Sequence, residues 1–213
     1  MAEPAEQGGD HHLVEERLGG EVVFQGHFLD ARRDTVRLPD GRSATREYLI
    51  HPGAVVVVPL VETPTGLQVV LERQYRYPVG RVMIEFPAGK RDAHETAWQC
   101  AVRELREETG YTATEWASAG AIHPVIAYST ECIDIWFARG LTAGDRALDP
   151  GEFLDVFTAT PAALLDWCRD GQVTDAKTLS CVLRLQNVLD GRWPLEWRPA
   201  DAFAADIAAE VQP

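Results

Sequence analysis

A chain of 213 residues that is 46% hydrophobic carries enough apolar side chain for one substantial core and a smaller appendage. Its formal net charge of -13 leaves no basic surface to neutralise a long run of phosphates, so nucleic acid is excluded as an expected partner, and a polyanionic ligand would need metal and a few arginines. No stretch approaches the roughly 20 apolar residues of a membrane span and the acidic N-terminus lacks a signal-peptide core, which predicts a soluble, cytoplasmic protein with no membrane partner.

In chain order, residues 1–20 are polar and predict a flexible tail. Residues 21–50 read as short strands at Val22-Val23-Phe24, 35–38 and 45–50, with Pro39-Asp40-Gly41 as a turn. Three strands this short do not stand alone, so they are expected to pack on the main domain or on a partner subunit. A near-continuous β-branched run at 54–61 suits a central strand, and Thr63-Pro64-Thr65-Gly66 turns it into a strand at 67–73. Further strands are predicted at 83–86, 116–122 and 133–138. Thr160-Pro161 opens a helix that Gly171 closes, and 174–189 reads as another.

A helix at 93–109 completes the set. Asp92 followed three residues later by Glu95 resembles a capping box, Gly110 stands where a left-handed end residue is wanted, and Ala97, Cys100, Ala101 and Leu105 form an apolar stripe at offsets of three and four. Strands, a helix, more strands and then helices predict an α/β fold of the α+β kind: a mixed sheet sandwiched between helices, with a small N-terminal antiparallel β element. The expected organisation is a tail at 1–20, the β element at 21–50, the main domain at 51–195 and a C-terminal tail or helix at 196–213. Cys100, Cys132, Cys168 and Cys181 lack C-x-x-C spacing, which predicts reduced, mostly buried thiols, and the six histidines lack ligand spacing.

The chemistry concentrates in one segment. Gly89, Glu95 and Arg103-Glu104-Leu105-Arg106-Glu107-Glu108-Thr109-Gly110-Tyr111 spell G-x5-E-x7-R-E-L-x-E-E-x-G-Y, a frame that chance supplies with odds below roughly one in a million at ordinary residue frequencies. Glu104 and Glu108 lie four apart, so their carboxylates leave one face of the helix about a turn from each other, with Glu107 alongside. Carboxylates this close repel and raise each other's pKa unless a cation lies between them, and oxygen-only ligands favour Mg2+ or Mn2+ over zinc. Arg103, four before Glu107, is placed to pair with it. A solvated acidic helix is the competing reading; the loop Glu85-Phe86-Pro87-Ala88-Gly89 argues against it, because glycine there lets the backbone approach a ligand.

This segment resembles the Nudix box of the Nudix hydrolases, which hydrolyse a nucleoside diphosphate linked to another moiety with a divalent metal. Gln74-Tyr75-Arg76-Tyr77-Pro78, Glu85 to Gly89, His51-Pro52-Gly53-Ala54, Ser129-Thr130-Glu131 and Thr174-Asp175-Ala176-Lys177-Thr178 are similar to segments of ADP-ribose pyrophosphatases and related nucleotide-sugar hydrolases, so that the resemblance spans residues 46–189. It implies that Arg76 binds the diphosphate, that Glu85 lies near the substrate, that the Ala88 carbonyl, Glu104 and Glu108 bind Mg2+ or Mn2+, and that Glu107 supports them. Where the subfamily has a proline-glycine pair, alignment on Glu131 places Ile126 and Ala127. Its catalytic loop glutamate falls opposite Pro150 of Asp149-Pro150-Gly151-Glu152, which leaves Glu152, Asp149 or Glu131 to orient or deprotonate the water, and Asp149 and Glu152 equally readable as turn residues. ADP-ribose would give AMP and ribose 5-phosphate. GDP-mannose or another nucleotide sugar is the alternative substrate. A metabolite sensor would carry a degraded box and a basic helix-turn-helix, whereas the box is intact here. The N-terminal strands match in position an element that such enzymes exchange across a homodimer.

Overall fold

The computed structural model describes residues 7–210, which divide into two compact units. One runs to His51 and includes Val125–Glu131; the other comprises Pro52–Pro124 and the chain from Cys132 onward. Of the expected tail, residues 1–6 lie outside the described residues, Gln7–Leu13 form a 3-10 helix, and the first strand starts at Glu16 rather than Glu21. Of the expected C-terminal segment, residues 211–213 also lie outside them.

In the first unit β1 (Glu16–Gln25), β2 (Asp30–Arg37) and β3 (Ser43–Ile50) form an antiparallel sheet in that order. Cross-strand charge pairs explain how so polar a stretch extends β1 toward the N-terminus: Arg17 closes on Asp34 at 2.7 Å and Arg37 on Glu16 at 3.5 Å. Tyr48 Oη also donates to Asp34, so this buried aspartate is held by both neighbouring strands. Leu49 exchanges backbone hydrogen bonds with Tyr128 and Thr130, which ties 125–131 to β3.

The second unit is built on β4 (Ala54–Thr63), β5 (Gly66–Arg76), β6 (Arg81–Glu85), β7 (Ala88–Lys90), α1 (Ala97–Thr109), β8 (Tyr111–Ile122), β9 (Ile133–Ala143), β10 (Leu154–Ala159), α2 (Pro161–Arg169), α3 (Ala176–Leu189), β11 (Arg198–Pro199) and α4 (Ala200–Glu210). The sheet order is β10-β5-β4-β9-β8-β11, with β6 added to β5 and β7 to β4; β4 and β9 pair in parallel and the other neighbours are antiparallel.

Strand periodicity then sorts the core into two layers. Val56 and Val58 of β4 face a cluster with Phe86, Ile135, Phe137, Leu164, Cys181 and Leu185, so α2 and α3 cover that side. Val55 and Val57 face Cys100, Ala101, Leu105, Trp116 and Trp136, so α1 covers the other, with Phe203 of α4 stacked on Trp98. The run of valines is therefore buried on both faces, and the mixed sheet between helices takes the predicted form. Among the described residues no helix is long and apolar enough to cross a membrane. All four cysteines are free, Cys100 and Cys181 buried and the others half-buried; burial pushes the Cys181 thiol up to about 12.

Helix α1 starts later than its sequence pattern suggests. Thr96 is the N-cap, exchanging reciprocal bonds with Gln99, and His94 at φ 68° breaks the preceding turn. Glu95 does reach back to the Asp92 N–H as a capping box would, but the turn it closes is not continued into the helix, and the same carboxylate is bound by Arg103. The short β7 and β11, and β10 with its mixed polar and apolar burial, have no counterpart among the predicted strands.

At the other end Gly110 takes φ 76° and its N–H donates to the Arg106 carbonyl at 2.9 Å. A Cβ at Gly110 would lie 2.5 Å from the Gly144 carbonyl oxygen. Gly110→Ala is therefore expected to cost about 2 kcal/mol or more, from left-handed strain plus this clash, read as a lowered urea midpoint with unchanged slope.

Candidate active site

Helix α1 lays its acidic side chains against the β7 loop rather than in solvent. Glu104 and Glu108 are 9% and 3% exposed. The apolar stripe explains this, because Cys100, Ala101 and Leu105 anchor the adjoining face of α1 to the sheet and draw Glu104 and Glu108 in with them. Glu108 accepts from the Ala88 N–H at 3.0 Å, and Glu104 occupies the space beside Gly89, where a Cβ would fall 1.8 Å from its carboxylate oxygen. Glycine at 89 is thus a condition of Glu104 sitting where it does.

Arg103 organises the outer rim. Its guanidinium reaches Glu95 at 2.9 Å, Glu104 at 2.7 Å, Glu107 at 3.1 Å and the Lys90 carbonyl at 3.1 Å. The expected pairing with Glu107 is present, and Glu95 is the additional partner that sequence spacing did not single out. Glu95 is held below the usual carboxylate range by Arg103. Glu104 is pushed up to about 7 because burial outweighs Arg103. Glu108 is raised well above its ordinary value by burial, then by Glu72 and Glu104.

Strands β5 and β6 supply a second group of charges. Arg76 binds Glu85 with two bonds of 2.7 and 2.9 Å, and Lys177, at the start of α3, closes on the same carboxylate while also reaching Asp175 at 3.0 Å. Burial alone would raise Glu85; Arg76 and Lys177 reverse it, and its carboxyl lies below the ordinary value. Burial alone would lower Lys177, and Asp175 with Glu85 hold it raised. Lys177 is a site residue that the sequence reading quoted without a role. Its signal was the Asp175-x-Lys177-Thr178 spacing, in which Asp175 caps α3 through the Thr178 N–H and places Lys177 in the first turn.

Glu72 is the other residue missed. It lies opposite Glu85 in the β5–β6 register, is fully buried, and is pushed up to about 8 by burial and then by Glu85. Among the three loop candidates, the structure treats each differently. The charge of Glu152 raises Glu72, Glu104 and Glu108. Asp149 is exposed and meets Glu152 through reciprocal turn bonds, its N–H donating to the Glu152 carboxylate at 3.2 Å and its carbonyl accepting from the Glu152 N–H at 3.0 Å. Glu131 belongs to the first unit, 3.7 Å from His51.

These donors suit a hard divalent cation. They are carboxylates, buried enough that ionisation is resisted without a positive partner, and both Glu72 oxygens lack a protein hydrogen-bond partner. Among the described residues no three His, Cys, Asp or Glu side chains form a metal cage by themselves.

Comparison with known proteins places this arrangement. The NUDIX domain matches residues 50–179, and the Nucleoside diphosphate sugar hydrolase N-terminal domain matches residues 15–49. The chain belongs to the Nudix family. It is 35% identical to an ADP-ribose pyrophosphatase of Bacillus subtilis over 82% of this chain and 94% of that protein. It is also 35% identical to a methanol dehydrogenase activator of Bacillus methanolicus, with the same shares covered. A crystal structure of an ADP compounds hydrolase shares the fold with TM-score 0.72 at 22% identity, covering 84% of this chain and 97% of that one.

The Nudix site therefore carries a stability signature. The folded chain keeps protons on Glu104 to about pH 7 and on Glu72 to about pH 8, against an ordinary value of 4.5, so it binds more protons than the unfolded chain across that window. Stability contributed this way is fully present below the ordinary value and is lost as pH rises through the folded values. Glu85, Asp175 and Glu95, all lowered, act only on the acid side of it. In chelating buffer the melting temperature is expected to fall from about pH 4.5 to about pH 8 and to be restored by a divalent cation at the alkaline end; a flat profile in a scanning fluorimetry series would contradict the buried-carboxylate account.

Proposed function

We propose that the protein hydrolyses the pyrophosphate bond of ADP-ribose, or of a closely related nucleoside diphosphate sugar, in a reaction that depends on Mg2+ or Mn2+. The observation that carries the reading is the burial of Glu104 and Glu108 against Ala88 and Gly89, with Arg76 within the field of Glu108. Support for the substrate comes from the B. subtilis relative and from the sugar hydrolase description of the N-terminal match.

Glu104, Glu108 and the Ala88 carbonyl would hold the cation, and Glu107 keeps Arg103 in place beside them. A divalent cation bound there supplies neutralising charge on the diphosphate and an acidified water. Arg76 spends two of its five N–H groups on Glu85, and the rest are available to a phosphate oxygen. Its orientation is fixed before substrate arrives, which is where a preorganised donor contributes most. Glu152 is the carboxylate proposed to orient and deprotonate the attacking water, since its charge acts on the buried cluster; the Asp149 N–H, donating to it, holds it in the turn. Glu131 takes no catalytic part in this reading.

A second copy of the chain is proposed to cover β1, an edge strand that leaves Val22, Val23 and Phe24 exposed. Light scattering is expected to give twice the 23.6 kDa of one chain, and a single-chain mass would refute the dimer. The four free cysteines suit a reducing, cytoplasmic compartment.

A panel of ADP-ribose, GDP-mannose and dinucleoside polyphosphates tests the activity, with AMP and ribose 5-phosphate expected from the first. The Glu104→Gln, Glu108→Gln double variant should lose at least roughly a hundredfold in kcat, and Glu152→Gln should lose roughly 10²–10⁴-fold while Asp149→Asn stays near the parent. Absence of turnover on every substrate, or a double variant with parental kcat, would end the proposal.

A further inference from the structure

Among the described residues the most deeply buried carboxylate, that of Glu72, is given no part in the reaction above. Glu72 has 0% exposure, and neither of its oxygens has a hydrogen-bond partner among protein groups. Two residues along the same face of β5, Gln74 likewise holds its side-chain carbonyl oxygen buried without a partner. Two acceptors side by side and without a donor are expensive, because a buried polar atom left unpaired forfeits the full cost of its desolvation.

The cations nearby do not relieve them. Glu85, opposite Glu72 in the strand register, is bonded by both Arg76 and Lys177. Arg103 is committed to Glu95, Glu104 and Glu107. Glu72 instead acts on the carboxylates of α1: after burial itself, its charge is the largest influence raising Glu108. What this face of β5 lacks is a source of donors with positive charge behind them.

We propose that Glu72 is an additional carboxylate of the divalent-cation site, accepting hydrogen bonds from water bound to the cation that Glu104 and Glu108 hold, with the Gln74 carbonyl oxygen accepting beside it. This rests on the cation-dependent reading of the preceding subsection and assigns the site a third acidic side chain, from the sheet rather than from the helix. A cation gathers its waters into a donor shell, so one ion satisfies acceptors that it does not touch directly. The shape of the residue also fits the role. Glutamine in place of Glu72 would keep the volume and the acceptor but lose the charge that the shell is drawn to.

Binding of Mn2+ to the metal-free protein, followed by the loss of the free-ion electron paramagnetic resonance signal at mildly alkaline pH, tests this without reference to turnover. Glu72→Gln is expected to weaken Mn2+ binding roughly 10–100-fold, while melting in chelating buffer no lower than the parent because a buried group that resists ionisation is replaced by a neutral one of the same shape. Parental Mn2+ affinity in Glu72→Gln overturns the role of Glu72 and leaves the cation site standing. Parental affinity in the Glu104→Gln, Glu108→Gln double variant overturns the cation site itself. Should Glu72→Gln fail to fold, an anomalous difference map of the unaltered protein with Mn2+ decides: a metal-bound water about 2.7 Å from a Glu72 oxygen supports the assignment, and a hydration shell that does not reach Glu72 overturns it.

Discussion

Carboxylates held where water cannot solvate them are the constraint around which this molecule is arranged. Glu72, Glu85, Glu104 and Glu108 are all buried, and the neighbouring cations are distributed unequally among them. Glu85 takes two, Arg76 and Lys177, and is held ionised. Glu104 shares Arg103 with two other glutamates, Glu108 has a single backbone N–H, and Glu72 has nothing from the protein. Each unrelieved ion costs several kcal/mol in such surroundings, so the metal-free fold carries a deficit of positive charge that a divalent cation is suited to fill. A cluster of this sort survives only on a scaffold with stability to spare. That scaffold is the pair of apolar layers on either side of β4.

The sheet does more than offset this cost, because its hydrogen-bond register sets which charges meet. Val57 N–H bonds the Pro87 carbonyl at 2.9 Å and Val56 pairs with Ala88, which fixes the loop before α1 relative to the central strand. Gly89 then leaves room for Glu104, and the Ala88 N–H meets Glu108 one helical turn later. On the neighbouring strands the pairing of Glu72 with Glu85 brings two acids face to face, and α3 answers with Lys177. A slip of one residue in β5 would turn Glu72 and Arg76 to the opposite face together. Helix, loop and strands thus converge because backbone pairing leaves them no other arrangement.

Much of this was legible in the residues themselves, and the reasons for the misses are physical. Glycine, arginine and glutamate at fixed spacing announced the α1 site, and the valine run announced a strand buried on both faces. The start of α1 was misplaced because Asp92 and Glu95 offer the same pattern as Thr96 and Gln99; Glu95 does accept from the Asp92 N–H, but His94 at φ 68° breaks the helical path after them. Glu72 left no trace because Leu71-Glu72-Arg73-Gln74 reads as an ordinary alternation, and alternation does not say that the polar face is covered. Among the loop acids, Asp149 and Glu152 share one turn signal and meet in that turn, and what sets Glu152 apart is a charge acting on the buried cluster, which no local pattern records. Local pattern fixes elements; long-range charge needs the tertiary pairing.

The clamp on Glu85 shows how the same shortage of cations shapes specificity of role. An unpaired arginine at 76 would sample many rotamers and lose that freedom on meeting a phosphate. Bound bidentately to a carboxylate that Lys177 also holds, Arg76 has already lost it in folding. Lysine suits the remaining place because its compact ammonium reaches both Asp175 and the Glu85 oxygen that one Arg76 N–H also holds. In the proposed reaction Glu85 would act on a ligand through Arg76, by orienting a donor that has spent two of its five N–H groups on the carboxylate. The ion pair that looks like structural reinforcement is, on this account, the part of the site that makes one cation ready for an anion before any anion is present.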